Sequence, residues 1–210
     1  MGDAAPNPCL VVVDMQNDFV RPGAPFEVPD ARAIIPEIRL LVEAFEAARL
    51  PVVYSRYIAD DSLRRLAGAV PWVAHLEAPI YACTPGHRRR YGDGQEADSA
   101  AIIDELSPSD GAIVVDKILY SAFQDTSLDR DLRTCGVTEL VVTGVATEIC
   151  VDDTARHGVH LGYQATLVCD GCASAAADRH AWTMDNFRRN YGRVARAAEL
   201  AAGLSAPIGT

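Results

Sequence analysis

Five short runs of apolar, largely β-branched residues recur along the chain with helix-forming stretches between them. This alternation constrains the fold more than any other feature. The runs are Cys9–Val13 (CLVVV), Pro51–Ser55 (PVVYS), Ala112–Val115 (AIVV), Glu139–Thr143 (ELVVT) and Gln164–Val168 (QATLV), with a weaker sixth near Arg193–Arg196. Residues that are apolar at consecutive positions suit strands covered on both faces, as in a parallel sheet. Asp30 is placed to cap a helix reaching about Arg49, with Ile34, Ile35, Ile38, Leu41, Val42 and Phe45 at helical spacing. Glu96–Leu106 repeats the pattern through Ala101, Ile102 and Leu106 and ends at Ser-Pro. Thr126 or Ser127 is expected to cap a helix that Gly136 stops, with Leu128, Leu132 and Cys135 facing inward. A further helix is expected from about Thr147–Cys150 to Gly158. The pattern predicts an α/β fold: a doubly wound, mainly parallel, Rossmann-like sheet of five or six strands with helices on both faces. In such a fold the ligand crevice lies at the carboxyl ends of the strands.

A chain of 210 residues fits one α/β core, so residues 1–210 are read as a single domain. Residues 57–94, rich in Arg, Pro and Gly, resist assignment and read as an insertion or lid over the site. The formal charge of −10 repels phosphate backbones and anionic lipid, which argues against nucleic-acid and membrane-surface partners. The opening MGDAAPNPCLVVVDM has no basic leader, and its apolar run is too short for a signal peptide or a membrane span. Pro6 stands where a myristoylation signal needs Ser or Thr. The expectation is a cytoplasmic protein whose six cysteines are free thiols.

Three chemically capable residues fall at or just beyond strand ends: Asp14 after CLVVV, Lys117 after AIVVD, and Cys150 after ELVVTGVATEI, near a helix start. Strand ends on one edge of a parallel sheet lie close in space. A thiolate is a strong nucleophile, and a cation or a helix N-terminus stabilises it. A carboxylate can take the thiol proton and pass it to a departing amine. Backbone N–H groups of the GVAT turn and the helix start can serve a tetrahedral oxyanion. Each residue also has an ordinary structural reading: a turn-capping Asp, a solvated Lys, a small buried Cys. Their coincidence at three strand ends makes them candidates without deciding between the two readings.

The chain resembles the isochorismatase-like cysteine hydrolase superfamily, which includes nicotinamidases, N-carbamoylsarcosine amidases, and ureidoacrylate and biuret hydrolases. The resemblance is carried by VVVDMQNDF (11–19), DKILYSAFQDTSLDRDLRTCGV (116–137) and VVTGVATEICVDDTAR (141–156), and continues through VCDGCAS (168–174) to His180. It implies Asp14 as general acid/base, Lys117 as cationic partner and Cys150 as nucleophile. It also implies a cis peptide between Val145 and Ala146, with the Ala146 and Cys150 N–H groups forming the oxyanion hole. Phe19 and Tyr120 fall where the family lines its substrate pocket. Isochorismatases proper, which cleave a vinyl ether, lack this cysteine, so the thiol favours hydrolysis of a C–N bond in a small amide or ureido compound. The resemblance further implies a homodimer or homotetramer.

The nicotinamidases of this superfamily carry an Asp-x-His metal motif after the second strand. Here that position reads RYIADDS, and neither His75 nor His87 has ligand-like spacing, so neither a metal nor any other cofactor is expected. Arg56 and Tyr57 follow the second strand and are candidates for binding a substrate carboxylate or carbonyl, with a surface ion pair the alternative for Arg56. His87–Tyr91 (HRRRY) is a basic patch that reads first as a solvated loop. Glu148 complements the dipole of the Cys150 helix. Two rival functions remain: a thiol-redox protein built on Cys169 and Cys172 (CDGC), and a non-catalytic binding module on the same fold.

Overall fold

The computed structural model describes residues 6–59 and 72–205. Its centre is a six-stranded parallel sheet formed by β1 (Pro8–Val13), β2 (Val52–Tyr57), β5 (Ile113–Lys117), β6 (Glu139–Val145), β7 (Gln164–Ala173) and β8 (Arg193–Ala195). A separate antiparallel ribbon pairs β3 (Arg88–Arg90) with β4 (Glu96–Asp98). The sheet order is β5-β2-β1-β6-β7-β8, so the chain winds outward from β1 in one direction and then, from β6, in the other. The reversal lies between β1 and β6, and a crevice opens at such a switch point.

Consecutive residues of β1 serve opposite faces, which is why the run has no polar positions. Val11 and Val13 pack on one side with Leu128 and Leu132 of α3 (Leu128–Thr134), Ala155 of α4 (Asp152–His160), and Met184 and Phe187 of α5 (Ala177–Asn190). Leu10 and Val12 pack on the other with Ile38, Leu41 and Phe45 of α2 (Ile35–Ala47) and with Ala197 and Ala201 of α6 (Ala197–Ser205). A single turn, α1 (Asn17–Val20), follows β1. Gly144 lets β6 come close to β1. Its φ is +108°, and a Cβ there would stand 2.1 Å from the Val13 carbonyl oxygen.

Several elements differ from expectation. The helix expected over 96–106 is absent: the segment runs through β4, a turn and a 3-10 turn at Asp104–Leu106. Side chains from elsewhere take up its backbone groups. Gln16 Nε2 donates to the Ala100 carbonyl at 2.8 Å and Asn17 Nδ2 to that of Asp98 at 2.9 Å, while the segment's own Ser99 Oγ donates outward to the Thr84 carbonyl at 2.9 Å. These bonds, together with the burial of Ala100, Ile103 and Leu106, outweigh local helix propensity. Asp30 sits in a 3-10 turn, and α2 begins five residues later, where Pro36 occupies the first turn. Cys135, expected to face inward, is exposed because α3 ends before it. α5 and α6 had no counterpart in the sequence reading. The insertion expected at 57–94 falls partly outside the described residues, at 60–71. Its described part includes Tyr57, Trp72 and β3.

Candidate active site

Strand register brings the three candidate residues together. Val13 pairs with Ser55 on one side and Gly144 on the other, so Asp14 emerges between β2 and the loop after β6. Tyr57 pairs with Lys117 one strand further out. Asp14 has φ +52°, a left-handed conformation that aspartate tolerates better than most residues. Its carboxylate accepts from Ser55 Oγ at 2.7 Å and from Lys117 Nζ at 2.7 Å. Both side chains of the ion pair are fully buried. Lys117 Nζ also donates to the Leu119 carbonyl at 2.9 Å.

Cys150 lies in a π-helical turn, Thr147–Val151, that leads into α4. The Val145–Ala146 peptide that precedes this turn is cis. Both Asp14 and Lys117 act on the Cys150 thiol. Burial pushes the thiol up, Lys117 pulls it down and Asp14 opposes that pull, leaving it well above an ordinary cysteine. Burial disfavours the Lys117 ammonium, but Asp14 and Cys150 more than offset this and hold it above a free lysine. At rest the site is therefore a neutral thiol beside a carboxylate–ammonium pair. The Cys150 turn is tied to α5 through a hydrogen bond between Thr147 Oγ1 and His180 Nδ1 at 2.9 Å.

Next to the thiol is a cavity of about 150 Å³ lined by Phe19, Phe26, Tyr57, Trp72, Tyr120, Ala146, Ile149 and Cys150. Phe19, Tyr57, Tyr120, Ala146 and Cys150 were expected at the site, and all five line it. Trp72 stands edge-on to both Tyr57 and Tyr120, and its Nε1 donates to Tyr120 Oη at 2.8 Å. Sequence reasoning missed Phe26, Trp72, Ile149 and Ser55. For Ser55 a signal existed, a polar residue closing an otherwise apolar strand run. Trp72 carried none, because it stands in the segment that resisted assignment.

Arg56 is a correction. It was a candidate for substrate binding, but side chains alternate along β2, and Arg56 projects away from the face that carries Ser55 and Tyr57. It forms a bidentate pair with Asp116, its register partner on β5, at 2.7 and 2.8 Å, and does not line the cavity. The HRRRY segment is not a solvated loop either. Buried Asp18 accepts from Arg89 Nε at 3.1 Å, Tyr91 Oη at 2.7 Å and the Cys83 N–H at 2.9 Å. Arg88 pairs with Glu96 across the β3–β4 ribbon. His75 packs on Phe26 and His87 on Tyr81. Glu148 lies at the start of the π turn with one carboxylate oxygen buried and without a hydrogen-bond partner among the described residues, while its other oxygen lies 3.6 Å from Arg179. Cys169 and Cys172 both belong to β7, where the ladder with β6 jumps from Leu167 to Cys172, and Cys172 is buried. That is a bulged strand, unlike the helix-opening turn of a dithiol redox site.

Residues 8–199 match the family described as "Isochorismatase domain". The ureidoacrylate amidohydrolase RutB of Methylobacterium radiotolerans is 32% identical over 206 residues, covering 94% of this chain and 80% of that protein. A cysteine hydrolase from Pseudomonas syringae superposes with a TM-score of 0.80 at 26% identity, covering 94% of this chain and 92% of the other. N-carbamoylsarcosine amidase from Thermoplasma acidophilum superposes with a TM-score of 0.72 at 30% identity, covering 91% and 96%. With an isochorismatase-like fold and amidohydrolase relatives along nearly its whole length, this chain belongs to the isochorismatase family as a cysteine-dependent amidohydrolase.

Proposed function

We propose that Cys150 is the nucleophile, Asp14 the general acid/base and Lys117 the cation that holds Asp14 and stabilises the thiolate, in hydrolysis of a small amide or ureido compound. The observation that carries this reading is the fully buried 2.7 Å Lys117–Asp14 pair acting on a cysteine at the wall of an apolar cavity. Relatives named for ureidoacrylate and N-carbamoylsarcosine support the substrate class.

In this mechanism Asp14 takes the Cys150 proton as sulfur attacks the substrate carbonyl. The carbonyl electron pair moves to oxygen, where the Ala146 and Cys150 N–H groups receive it. Collapse of the tetrahedral intermediate breaks the C–N bond. Asp14 hands its proton to the departing nitrogen, ammonia leaves, and a thioester to Cys150 remains. Asp14 then removes a proton from water, the hydroxide attacks the thioester, and sulfur departs and recovers the proton. The products are the acid (or carbamate) and ammonia. Phe19, Tyr57 and Tyr120 hold the substrate body.

The proposal treats residues 1–210 as one domain, since the family match is continuous over 8–199. It also extends to a homodimer or homotetramer, which the exposed Trp182 favours, and to a reducing, cytoplasmic setting, which six unpaired thiols favour. Among the described residues, no helix is long and apolar enough to cross a membrane. The test is ammonia release from a panel of amides and ureido compounds, with intact-protein mass followed in parallel. Release together with an acyl mass on the protein, both lost in Cys150→Ala, is the expected result. Ammonia that persists in Cys150→Ala would refute the nucleophile assignment.

A further inference from the structure

We infer that the part of the substrate filling the cavity is uncharged, flat and apolar, of the size of one aromatic ring, so that this chain selects neutral amides over anionic ureido acids. The inference rests on the amidohydrolase reading above and narrows its substrate class.

The first observation is the lining. Among the described residues, the walls are aromatic or aliphatic side chains and the Cys150 thiol; no charged residue contributes. An apolar void of about 150 Å³ is one in which a benzene-sized ring fits. The edge-to-face walls of Tyr57, Trp72 and Tyr120 suit a planar guest.

The second observation is the state of the surrounding cations. Lys117 is neutralised by Asp14, Arg56 by Asp116 and Arg89 by Asp18, each at hydrogen-bonding distance. A carboxylate entering this space would leave water, and none of these three cations is unpaired to receive it. Such a burial is strongly unfavourable. Ureidoacrylate, for which the relatives are named, is an anion.

The third observation is one polar atom. Tyr57 Oη is buried with no hydrogen-bond partner among the described residues, and it lies within electrostatic reach of Cys150, Asp14 and Tyr120. A buried hydroxyl of this kind calls for a partner. Because Tyr57 lines the same cavity as Cys150, we assign this hydroxyl to the amide group of the substrate, which leaves the rest of the cavity apolar.

The test uses an isosteric pair, 4-nitrobenzamide and 4-carboxybenzamide, which differ in charge and little in shape, with benzamide and ureidoacrylate alongside. Ammonia release gives kcat/KM for the wild type, and calorimetry gives affinity for Cys150→Ala, which binds without turning over. The expected result is a preference for the neutral member of at least about 100-fold in either readout. Tyr57→Phe should lower kcat/KM on benzamide roughly fivefold, the loss of one hydrogen bond, while preserving the nitro-to-carboxy ratio. Equal or better handling of 4-carboxybenzamide or ureidoacrylate would overturn the inference, as would failure of benzamide and 4-nitrobenzamide both to bind and to react. Ammonia that persists in Cys150→Ala with the neutral preference intact would instead refute the nucleophile and leave the cavity assignment standing.

Discussion

Lys117 tests the buried pair directly, because its ammonium is held by the Asp14 carboxylate and the Leu119 carbonyl. Replacing it with methionine keeps most of the volume and removes the charge. The Asp14 carboxylate is then left in a fully buried site with Ser55 as its remaining hydrogen-bond donor. Breaking a buried ion pair by removing one partner costs about 3–5 kcal/mol. For a chain of this length, 1 kcal/mol moves Tm by about 2–4 °C, so Lys117→Met should lower Tm by about 6–20 °C. The double variant Asp14→Asn/Lys117→Met removes both charges, and asparagine can still accept from Ser55. It should recover more than half of that loss, leaving as residual cost the unpaired Leu119 carbonyl. Neither variant should release ammonia. Thermal melts and denaturant titrations of the wild type, Lys117→Met, Asp14→Asn and the double variant complete a double-mutant cycle. If Lys117→Met melts like the wild type, or if the double variant falls by the sum of the singles, the two charges are not coupled and the site geometry argued above is wrong.

Four further outcomes follow from the same structure. Arg56→Ala should change kcat/KM by less than about twofold and stability by about 0.5 kcal/mol, since its half-exposed pair with Asp116 faces away from the cavity; a tenfold loss of activity would reinstate it at the substrate. Gly144→Ala should cost at least about 1–3 kcal/mol, visible as a lower denaturant midpoint, because the new Cβ meets backbone that cannot yield at a positive φ. Alkylation of Cys150 by iodoacetamide should keep accelerating as pH rises through 9, since burial holds the thiol above the ordinary value of 9.0; a plateau near pH 7 would contradict the neutral resting thiol. Burial holds His180 below its ordinary value of 6.5, so the folded state favours the neutral ring. The stability this contributes is complete above pH 6.5 and is lost as pH falls through the lowered folded value. The Tm difference between wild type and His180→Gln should therefore shrink in acid.

The sheet was legible because its strands are buried on both faces: CLVVV offers no polar position to either side, and Leu10 and Val11 indeed serve opposite layers. Asp14, Lys117 and Cys150 were legible because strand ends in a parallel sheet converge, and register then carries Lys117 Nζ across β2 to Asp14. What escaped was set by distant partners. The 96–106 segment has the composition of a helix, but Gln16 and Asn17, far away in sequence, take its backbone groups. Arg56 looked like a substrate ligand because proximity to the site was read from sequence distance, whereas strand alternation turns neighbouring side chains to opposite faces. Trp72 and Phe26 could not be placed because the loops bearing them lack any period.

The charge state of the site joins the proposed chemistry to the proposed specificity. At rest the carboxylate, the ammonium and the neutral thiol sum to zero. After proton transfer from Cys150 to Asp14, a neutral acid, an ammonium and a thiolate also sum to zero. When the thiolate attacks a neutral amide, the negative charge moves to the oxyanion and the sum is again unchanged. A buried, apolar site can host this sequence because no step adds net charge to a medium that penalises it. The burial that keeps the resting thiol protonated also strengthens the Lys117 field and the oxyanion donors once charge develops. An anionic substrate would break that neutrality from the moment of binding, with Lys117 already committed to Asp14. An added cation should therefore be needed to open the site to anions. Ile149→Arg, at a half-exposed position on the cavity wall, should raise the ratio of 4-carboxybenzamide to 4-nitrobenzamide turnover by about tenfold or more, as one compensating charge allows. An unchanged ratio in a folded, active Ile149→Arg protein would show that charge does not set the choice of substrate.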